Sequence, residues 1–175
     1  NINEPNTMTP RQASVAVLQQ VTQHGRSLTD SLNTQLPKLK PADRALCQAM
    51  SYGVLRHYHR LDYLAGKLLD KPLRKKDQDV HCLILLGLYQ LLEMRIPDHA
   101  VVSQTVAVSK GLKKHWAKNL VNAVLRNFQR QKDSLLASLD EKNAVTFFSH
   151  PDWLIQRLKK AWPDDWQAIL QAHNQ

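Results

Sequence analysis

The run Val-His-Cys-Leu-Ile-Leu-Leu-Gly-Leu-Tyr-Gln-Leu-Leu, at residues 80–92, constrains the fold of this chain more than any other segment. Apolar residues recur in it at i, i+3, i+4, i+7, i+8, i+11 and i+12, the spacing of one face of an α-helix. Leu85 and Leu86 add apolar groups on the other side. A helix that is apolar nearly all round is normally surrounded by other helices. The run therefore predicts the central helix of a helical bundle.

Capping residues predict helices before this run. Thr9 suits an N-cap and Pro10 the first helical position, and Gly25 is a natural end for that helix. Ser27 can cap a second short helix. The pattern therefore predicts two helices in the first 36 residues or so, after a frayed start.

Further helices are predicted after the central run. Pro97 ends the preceding helix, and Asp98 is a good N-cap for the next one. Helical spacing then continues through Phe128, and two short helices are predicted over residues 135–139 and 141–148.

The last part of the chain differs in character, since three of the four tryptophans in the whole chain stand after residue 150. Pro151 and Pro163 stand near the first turns of two more predicted helices, the second ending near His173. This tail does not continue the series of helices that forms the predicted bundle. We interpret it as the opening of a second unit.

Composition supports an all-α domain with a real core. The chain has 175 residues, of which 43% are hydrophobic, and only 5 are glycines. Few glycines and few alternating β-branched runs argue against a sheet protein. No apolar run approaches the roughly 20 residues of a membrane span, and no signal segment opens the chain. A soluble cytoplasmic protein is the expectation.

No residue pattern indicates a complete catalytic or metal site. The isolated glycines form no phosphate-binding loop. His57 and His59 are i, i+2 and would point to different faces of a helix, which argues against a shared metal. Cys47 and Cys82 stand among apolar neighbours without metal-ligand spacing. We interpret both cysteines as reduced core thiols and predict no metal.

The net charge of +9 favours a polyanionic partner, although many basic proteins simply have solvated lysine faces. Two basic clusters stand out, one over residues 56–76 and one over residues 110–132, the second without any Asp or Glu. A phosphate backbone would relieve the mutual repulsion of such cations. Trp116 and the aromatic residues near Tyr58 could stack on unpaired bases. The predicted RNA-binding residues are Arg56, Arg60, Arg74, Lys75, Lys76, Lys113, Lys114, Lys118, Arg126 and Arg130. For Arg126, packing and RNA contact remain equally open.

Four motifs in order resemble one known family. They are Tyr-Gly-Val-Leu-Arg at 52–56, Gly-Leu-Tyr-Gln-Leu-Leu at 87–92, Ile-Pro-Asp-His-Ala at 96–100 and Val-Asn-Ala-Val-Leu-Arg at 121–126. Together they resemble the NusB-like N-terminal domain of the RsmB (Sun/Fmu) family of bacterial 16S ribosomal RNA cytosine-C5 methyltransferases. The His-Pro-Asp-Trp-Leu run at 150–154 resembles the segment after that domain in the methyltransferases.

The resemblance implies an all-α, NusB-like bundle of two small helical subdomains followed by a short helical linker. In such a protein residues 1–8 would be a disordered N-terminus and residues 9–140 would form the NusB-like RNA-binding domain. Residues 141–175 would be a helical linker at the start of the methyltransferase region, with the catalytic domain absent.

The resemblance also implies an activity for the parent protein. That protein would transfer a methyl group from S-adenosylmethionine to carbon 5 of a cytosine, using one attacking cysteine and one proline-preceded cysteine. Cys47 follows Leu46 and Cys82 follows His81, so neither matches the proline-preceded position. The expectation is a module without a cofactor or catalytic residues of its own. Its partners would be 16S ribosomal RNA and its own catalytic domain in cis.

Two alternatives stay open at this point. A NusB-type transcription antitermination adaptor would bind RNA and a ribosomal protein, although the tail after Arg130 counts against it. A purely structural domain would pack on its own catalytic domain and touch RNA little.

Overall fold

The structure is a computed structural model that describes residues 8–149, 155–156 and 159–168, with the backbone alone for 144–149. Within these ranges all regular structure is helical and no strand occurs, which confirms the predicted all-α class. The helices with ranges assigned there are α1 (Pro10–His24), α2 (Leu28–Gln35), α3 (Pro41–Arg56), α4 (Tyr58–Leu68), α5 (Gln78–Glu93), α6 (Asp98–Gly111) and α7 (His115–Ser149). Short 3₁₀ turns at Leu36–Lys38 and Lys75–Asp77 precede α3 and α5.

Several expectations concern residues that the structure does not describe. These are most of the predicted disordered N-terminus, the predicted helix start at Pro151 and the predicted helix end near His173. They stay predictions.

Helix α5 is the centre of the bundle, as its sequence predicts. It packs against α1, α3, α4 and α6. Residues 82–88 of α5 are all buried, so the helix is enclosed on every face. Burial of a Leu or Ile side chain contributes roughly 1.5–3 kcal/mol. Helix α5 therefore supplies a large share of the hydrophobic stabilisation of the bundle.

Two glycines let side chains from other helices approach closely. A Cβ placed on Gly87 of α5 would lie 2.7 Å from Leu125 Cδ2 and 3.2 Å from Thr105 Cγ2. A Cβ on Gly53 of α3 would overlap the ring of Tyr89. The absence of a side chain at Gly53 thus leaves the space that the Tyr89 ring of α5 fills.

A buried polar network crosses the bundle from α1 through α5 to α6. Arg11 Nε donates to Gln90 Oε1 at 2.9 Å, and Gln90 Nε2 donates to Leu86 O and to Thr105 Oγ1, each at 3.1 Å. Arg11 is only 9% exposed, and desolvation lowers the pKa of its guanidinium. Arg11, the arginine at the start of α1, therefore forms a hydrogen bond within the interior of the bundle.

The predicted helix ends agree with the structure in α1 and α2 but not in α6. Thr9 accepts from the backbone N of Gln12 in a capping box, and Ser27 accepts from the backbone N of Asp30. Gly25 ends α1 at φ 64°. The prediction that Asp98 is the N-cap of α6 is wrong. Pro97 occupies that position, and Asp98 Oδ2 instead accepts from Gln129 Nε2 at 3.3 Å.

Helix α7 is longer than its sequence pattern predicts. The separate short helices expected over residues 135–139 and 141–148 are wrong, because His115–Ser149 is one continuous helix. No proline or glycine interrupts this segment, so no residue in it forces a break. A first compact unit ends at Lys132 and a second begins at Asp133. The domain end predicted at residue 140 stays a prediction.

The start of α7 is tied to the start of α5 by one lysine. Lys114 Nζ lies 2.7 Å from Asp79 Oδ1 and 3.1 Å from Asp77 Oδ1, and it donates to Lys76 O at 2.8 Å. Burial of the ammonium lowers its pKa, but the hydrogen bonds and negative charges of the two carboxylates outweigh this effect and raise it. Both carboxylates are shielded, with side chains 10% and 14% exposed.

None of the helices in the described ranges has the length and apolar character needed to cross a bilayer.

We expect Gly87→Ala to lower the free energy of unfolding by about 1–3 kcal/mol, because the added methyl group would overlap Leu125, which is fully buried. Gly66→Ala is the matched control, since a Cβ there meets nothing within 4 Å. It should stabilise the protein by up to about 1 kcal/mol through helix propensity. Urea denaturation followed by circular dichroism measures both changes. Equal shifts for the two variants would contradict the packing argument.

We expect Lys114→Met to lower the free energy of unfolding by roughly 1–3 kcal/mol, because two shielded carboxylates lose their cation. Lys113→Met is the control, since that exposed side chain forms no ion pair with the described residues. The folded state raises the pKa of Lys114, so its contribution is present at neutral pH and is lost as pH rises beyond the ordinary value of 10.5. Denaturation curves at pH 7 and pH 11 test both statements, and a difference between wild type and Lys114→Met that grows with pH would contradict them.

Candidate nucleic-acid interface

A groove of about 450 Å³ runs between α6 and α7. One stripe of α6 lines it at i, i+4, i+7 and i+11, from His99 to Lys110. One stripe of α7 lines the other side at i, i+4, i+8 and i+11, from Lys118 to Gln129. Side chains at these spacings share one helix face, so the groove follows directly from the packing of two regular helices.

Carboxylates of the described residues do not neutralise the cations of this groove. Among the described residues, no carboxylate forms an ion pair with Lys110, Lys118 or Arg126. Arg126 Nε donates to Asn122 Oδ1 at 3.2 Å, which orients the guanidinium along α7. The acid in contact with a lining side chain is Asp98, through its bond with Gln129. The groove therefore presents net positive charge to solvent.

Arg130 extends this surface by one helical turn. It lines an adjoining depression of about 320 Å³ together with Arg126 and Gln129. Lys118, Arg126 and Arg130 therefore belong to one continuous cationic surface, which we call the α6–α7 groove. Three of the ten predicted RNA-binding residues lie there.

A second cleft, of about 340 Å³, lies where the segment before α5 meets the start of α7. Lys71, Arg74 and Lys76 line one side and Trp116 lines the other. Trp116 is 48% exposed. The sequence assigned these residues to two separate clusters, and the fold brings them together. We call this the Trp116 cleft.

Lys75, Lys113 and Lys114 are not among the lining residues of this cleft. Lys75 is exposed, and its carbonyl accepts from Gln23 Nε2 at 3.4 Å. Lys113 is exposed in the turn between α6 and α7, with a left-handed backbone at φ 57°. Lys114 is held by Asp77 and Asp79, so its charge is already balanced inside the protein.

Arg56 and Arg60 line neither surface. Arg60 Nη1 lies 3.2 Å from Glu93 Oε1, so α4 is linked to the end of α5 by an ion pair whose side chains are 38% and 37% exposed. Arg56 is exposed at the end of α3. The structure therefore places these two arginines outside both cationic surfaces.

Sequence reasoning missed the neutral residues of the α6–α7 groove. Ser103, Asn122 and Gln129 line it, and their side chains can donate or accept hydrogen bonds. Their helical spacing relative to Lys110, Lys118 and Arg126 was a usable signal, but it required knowing that α6 and α7 are neighbours. The Asn122 side chain accepts a hydrogen bond from Arg126, and Gln129 donates one to Asp98 at the 96–99 turn.

The cysteines have the character expected of core thiols. Both are free and buried. Burial raises the pKa of Cys82 to about 11, although a hydrogen bond with Thr22 opposes the shift. Burial likewise raises the pKa of Cys47. Neither thiol is therefore an activated nucleophile. Among the described residues, no three His, Cys, Asp or Glu side chains are grouped so that they could hold a metal ion.

Sequence comparison relates the chain to known proteins. Residues 8–130 match the profile of the NusB family, and residues 150–175 match that of the ferredoxin-like domain of RsmF/B-like methyltransferases. Most of the second match lies outside the described residues.

Curated relatives agree with these matches. "Ribosomal RNA small subunit methyltransferase B" of Pseudomonas syringae pv. tomato is 48% identical over 167 residues, covering 95% of this chain and 37% of the relative. Proteins of the same name from Escherichia coli O1:K1 and Pseudomonas putida are 43% and 46% identical, each with 38% of its length covered. The chain thus spans well under half the length of these relatives.

The profile match covers most of the chain and coincides with the helical unit that surrounds α5. The resemblance seen in the four sequence motifs is confirmed, and this chain belongs to the NusB family.

Proposed function

We propose that this chain forms the RNA-binding N-terminal module of a methyltransferase that modifies a cytosine of 16S ribosomal RNA at carbon 5. The relatives that match nearly the whole chain are named ribosomal RNA small subunit methyltransferase B. A ribosomal RNA substrate implies a cytoplasmic location. The module would hold the RNA and deliver the target base to a catalytic domain of the same protein.

The α6–α7 groove is the observation that carries this proposal. It collects Lys110, Lys118 and Arg126 without a neutralising carboxylate from the described residues. Closely spaced cations repel one another, and a phosphate backbone relieves that repulsion while releasing its own counterions. Neutral hydrogen-bonding residues between the cations could contact sugar and base edges. Such a surface fits an RNA strand better than an apolar protein partner.

The predicted RNA-binding residues enter this proposal with different roles. Lys118, Arg126 and Arg130 would contact phosphates along the groove. Lys113 would extend this set from the turn before α7. Lys114 would act indirectly, because its carboxylate partners hold it in the fold.

The remaining predicted residues form two other groups. Arg74, Lys75 and Lys76 would contact phosphates near the Trp116 cleft. Arg56 and Arg60 would contribute to the positive electrostatic potential of the protein from another face.

S-adenosylmethionine would serve the parent enzyme as the methyl donor. The described residues do not fit that cofactor, since they form no strand–turn–helix unit with a glycine-rich loop. No step of methyl transfer is therefore assigned to this chain. Its own contribution would be to bind and orient RNA.

An antitermination adaptor of NusB type is the alternative function. The match of residues 150–175 to a methyltransferase-associated domain favours the methyltransferase module. A stoichiometric complex with a ribosomal protein, without affinity for RNA, would favour the adaptor.

The test is binding of the chain to a 16S ribosomal RNA fragment across a salt series. We expect Lys110→Glu with Lys118→Glu to weaken binding at least about 10-fold. We also expect this variant to reduce the slope of log K against log salt by about one to two, because two phosphate contacts are lost. Arg26→Glu with Lys38→Glu is the matched control, since both residues are exposed and lie outside the cationic surfaces.

Equal affinity and slope for the groove variant and the control would remove the groove from the proposal. Absence of salt-dependent RNA binding by the wild type would contradict the proposed function itself.

A further inference from the structure

The Trp116 cleft combines features that the α6–α7 groove lacks. Trp116 stands in the first turn of α7 with nearly half of its surface exposed. No other aromatic ring or cation among the described residues stacks on its indole. A single exposed aromatic residue is ordinary in itself. Here, however, it forms one wall of a cleft whose other walls carry cations.

Side chains from other parts of the protein donate hydrogen bonds to the backbone of the segment opposite Trp116. Gln78 Nε2 donates to Leu73 O and Arg74 O, both at 3.3 Å. Gln23 Nε2 donates to Lys75 O, and Lys114 Nζ donates to Lys76 O. Four successive carbonyls therefore face protein donors. A segment immobilised in this way loses little conformational entropy when it binds a ligand.

The same interactions position Trp116. Lys114 stands two residues before it and bonds directly to the segment that forms the opposite wall. Charged hydrogen bonds of Lys114 therefore link the two walls of the cleft. This makes the cleft a preformed site.

The charge of the cleft is positive. Lys71, Arg74 and Lys76 form no ion pair within the part of the chain that the structure describes. The carboxylate in the cleft belongs to Asp77, which shares Lys114 with Asp79, so this ion-paired trio carries one net negative charge. Three cations line the cleft against that one negative charge, so an anionic group entering it would meet a net positive charge.

A ligand for this cleft needs a flat face and a nearby negative charge. An unpaired nucleotide has both, because its base can stack on an aromatic ring while its phosphate contacts Arg or Lys. A paired base is less suitable, since its faces are already covered by its neighbours in the helix. An acidic peptide would satisfy the cations but would leave the indole without a stacking partner.

We propose that the Trp116 cleft binds one unpaired nucleotide of the RNA, with its base stacked on Trp116 and its phosphate held by Arg74 and Lys76. This inference rests on the proposed function and adds to it a preference for single-stranded RNA. The α6–α7 groove supplies salt-dependent affinity for the backbone, and the Trp116 cleft supplies discrimination between unpaired and paired RNA.

The experiment compares Trp116→Leu, Trp116→Phe and wild type in binding a single-stranded 16S ribosomal RNA fragment and the same fragment annealed to its complement. We expect Trp116→Leu to bind the single strand about 5- to 100-fold more weakly, which is the usual effect of losing one base–aromatic stack. Trp116→Phe should retain most of the affinity. The salt slope should be unchanged in both variants, because neither removes a charge.

Arg74→Gln with Lys76→Gln is the companion variant. It should weaken binding and reduce the salt slope by about one to two, which separates phosphate contact from stacking. Denaturation midpoints of all variants, measured by circular dichroism, check that the fold is intact. Trp116 and both cations are exposed, so the midpoints should stay near that of the wild type.

Wild-type affinity of Trp116→Leu for the single strand would overturn the inference. So would an equal loss for Trp116→Leu and Trp116→Phe, or displacement of the RNA by polyglutamate at concentrations as low as those of competing RNA. If the Lys110 and Lys118 variant still loses affinity and slope in the same assay, the proposed function stands while the stacking site fails. If wild type shows no salt-dependent binding, the proposed function fails first.

Discussion

Helix α5 is apolar on every face, and this property dictates the arrangement of the helices around it. A helix of this kind is stable in water only when other helices enclose it, because each exposed Leu or Ile would cost roughly 1.5–3 kcal/mol. Helices α1, α3, α4 and α6 pack against it. Gly87 allows Leu125 of α7 to approach its backbone. The helices that enclose α5 meet at angles that leave depressions between their surfaces. The α6–α7 groove and the Trp116 cleft are two of these depressions.

The buried polar groups refine this hydrophobic arrangement. The bonds from Arg11 to Gln90 and from Gln90 to Thr105 link three helices at one level of the bundle. An unpaired buried amide would cost about 1–3 kcal/mol, so these bonds penalise any shift of the helices along one another. The ion pairs of Lys114 perform the same task at the surface, between the starts of α5 and α7. The buried hydrogen bonds and the ion pairs of Lys114 therefore fix the helices, and with them the distances between the cationic side chains on the surface.

Two cationic surfaces with different chemistry result from this packing. The α6–α7 groove is lined by cations and neutral hydrogen-bonding groups, which suits contact with a sugar–phosphate backbone. The Trp116 cleft adds a flat aromatic wall to its cations, which suits an unpaired base. Long-range attraction of RNA would arise from the sum of both surfaces, since the whole chain carries a net charge of +9. The α6–α7 groove would then supply affinity for RNA, and the Trp116 cleft would select unpaired RNA.

The sequence by itself determined the helical class, the central position of α5 and the ends of α1 and α2. These properties depend on spacing and capping among residues close together in the chain, such as Thr9 with Gln12. It also indicated both basic clusters and the family. Only the tertiary structure decided which cations stay free. Lys114 is balanced by Asp77 and Asp79, more than thirty residues away, whereas Lys118, four residues later, pairs with no carboxylate among the described residues. Only the tertiary structure, likewise, joined Trp116 to Arg74 and Lys76 in one cleft. The physical reason is that electrostatic pairing and cavity formation depend on distances through space, which spacing along one helix does not specify.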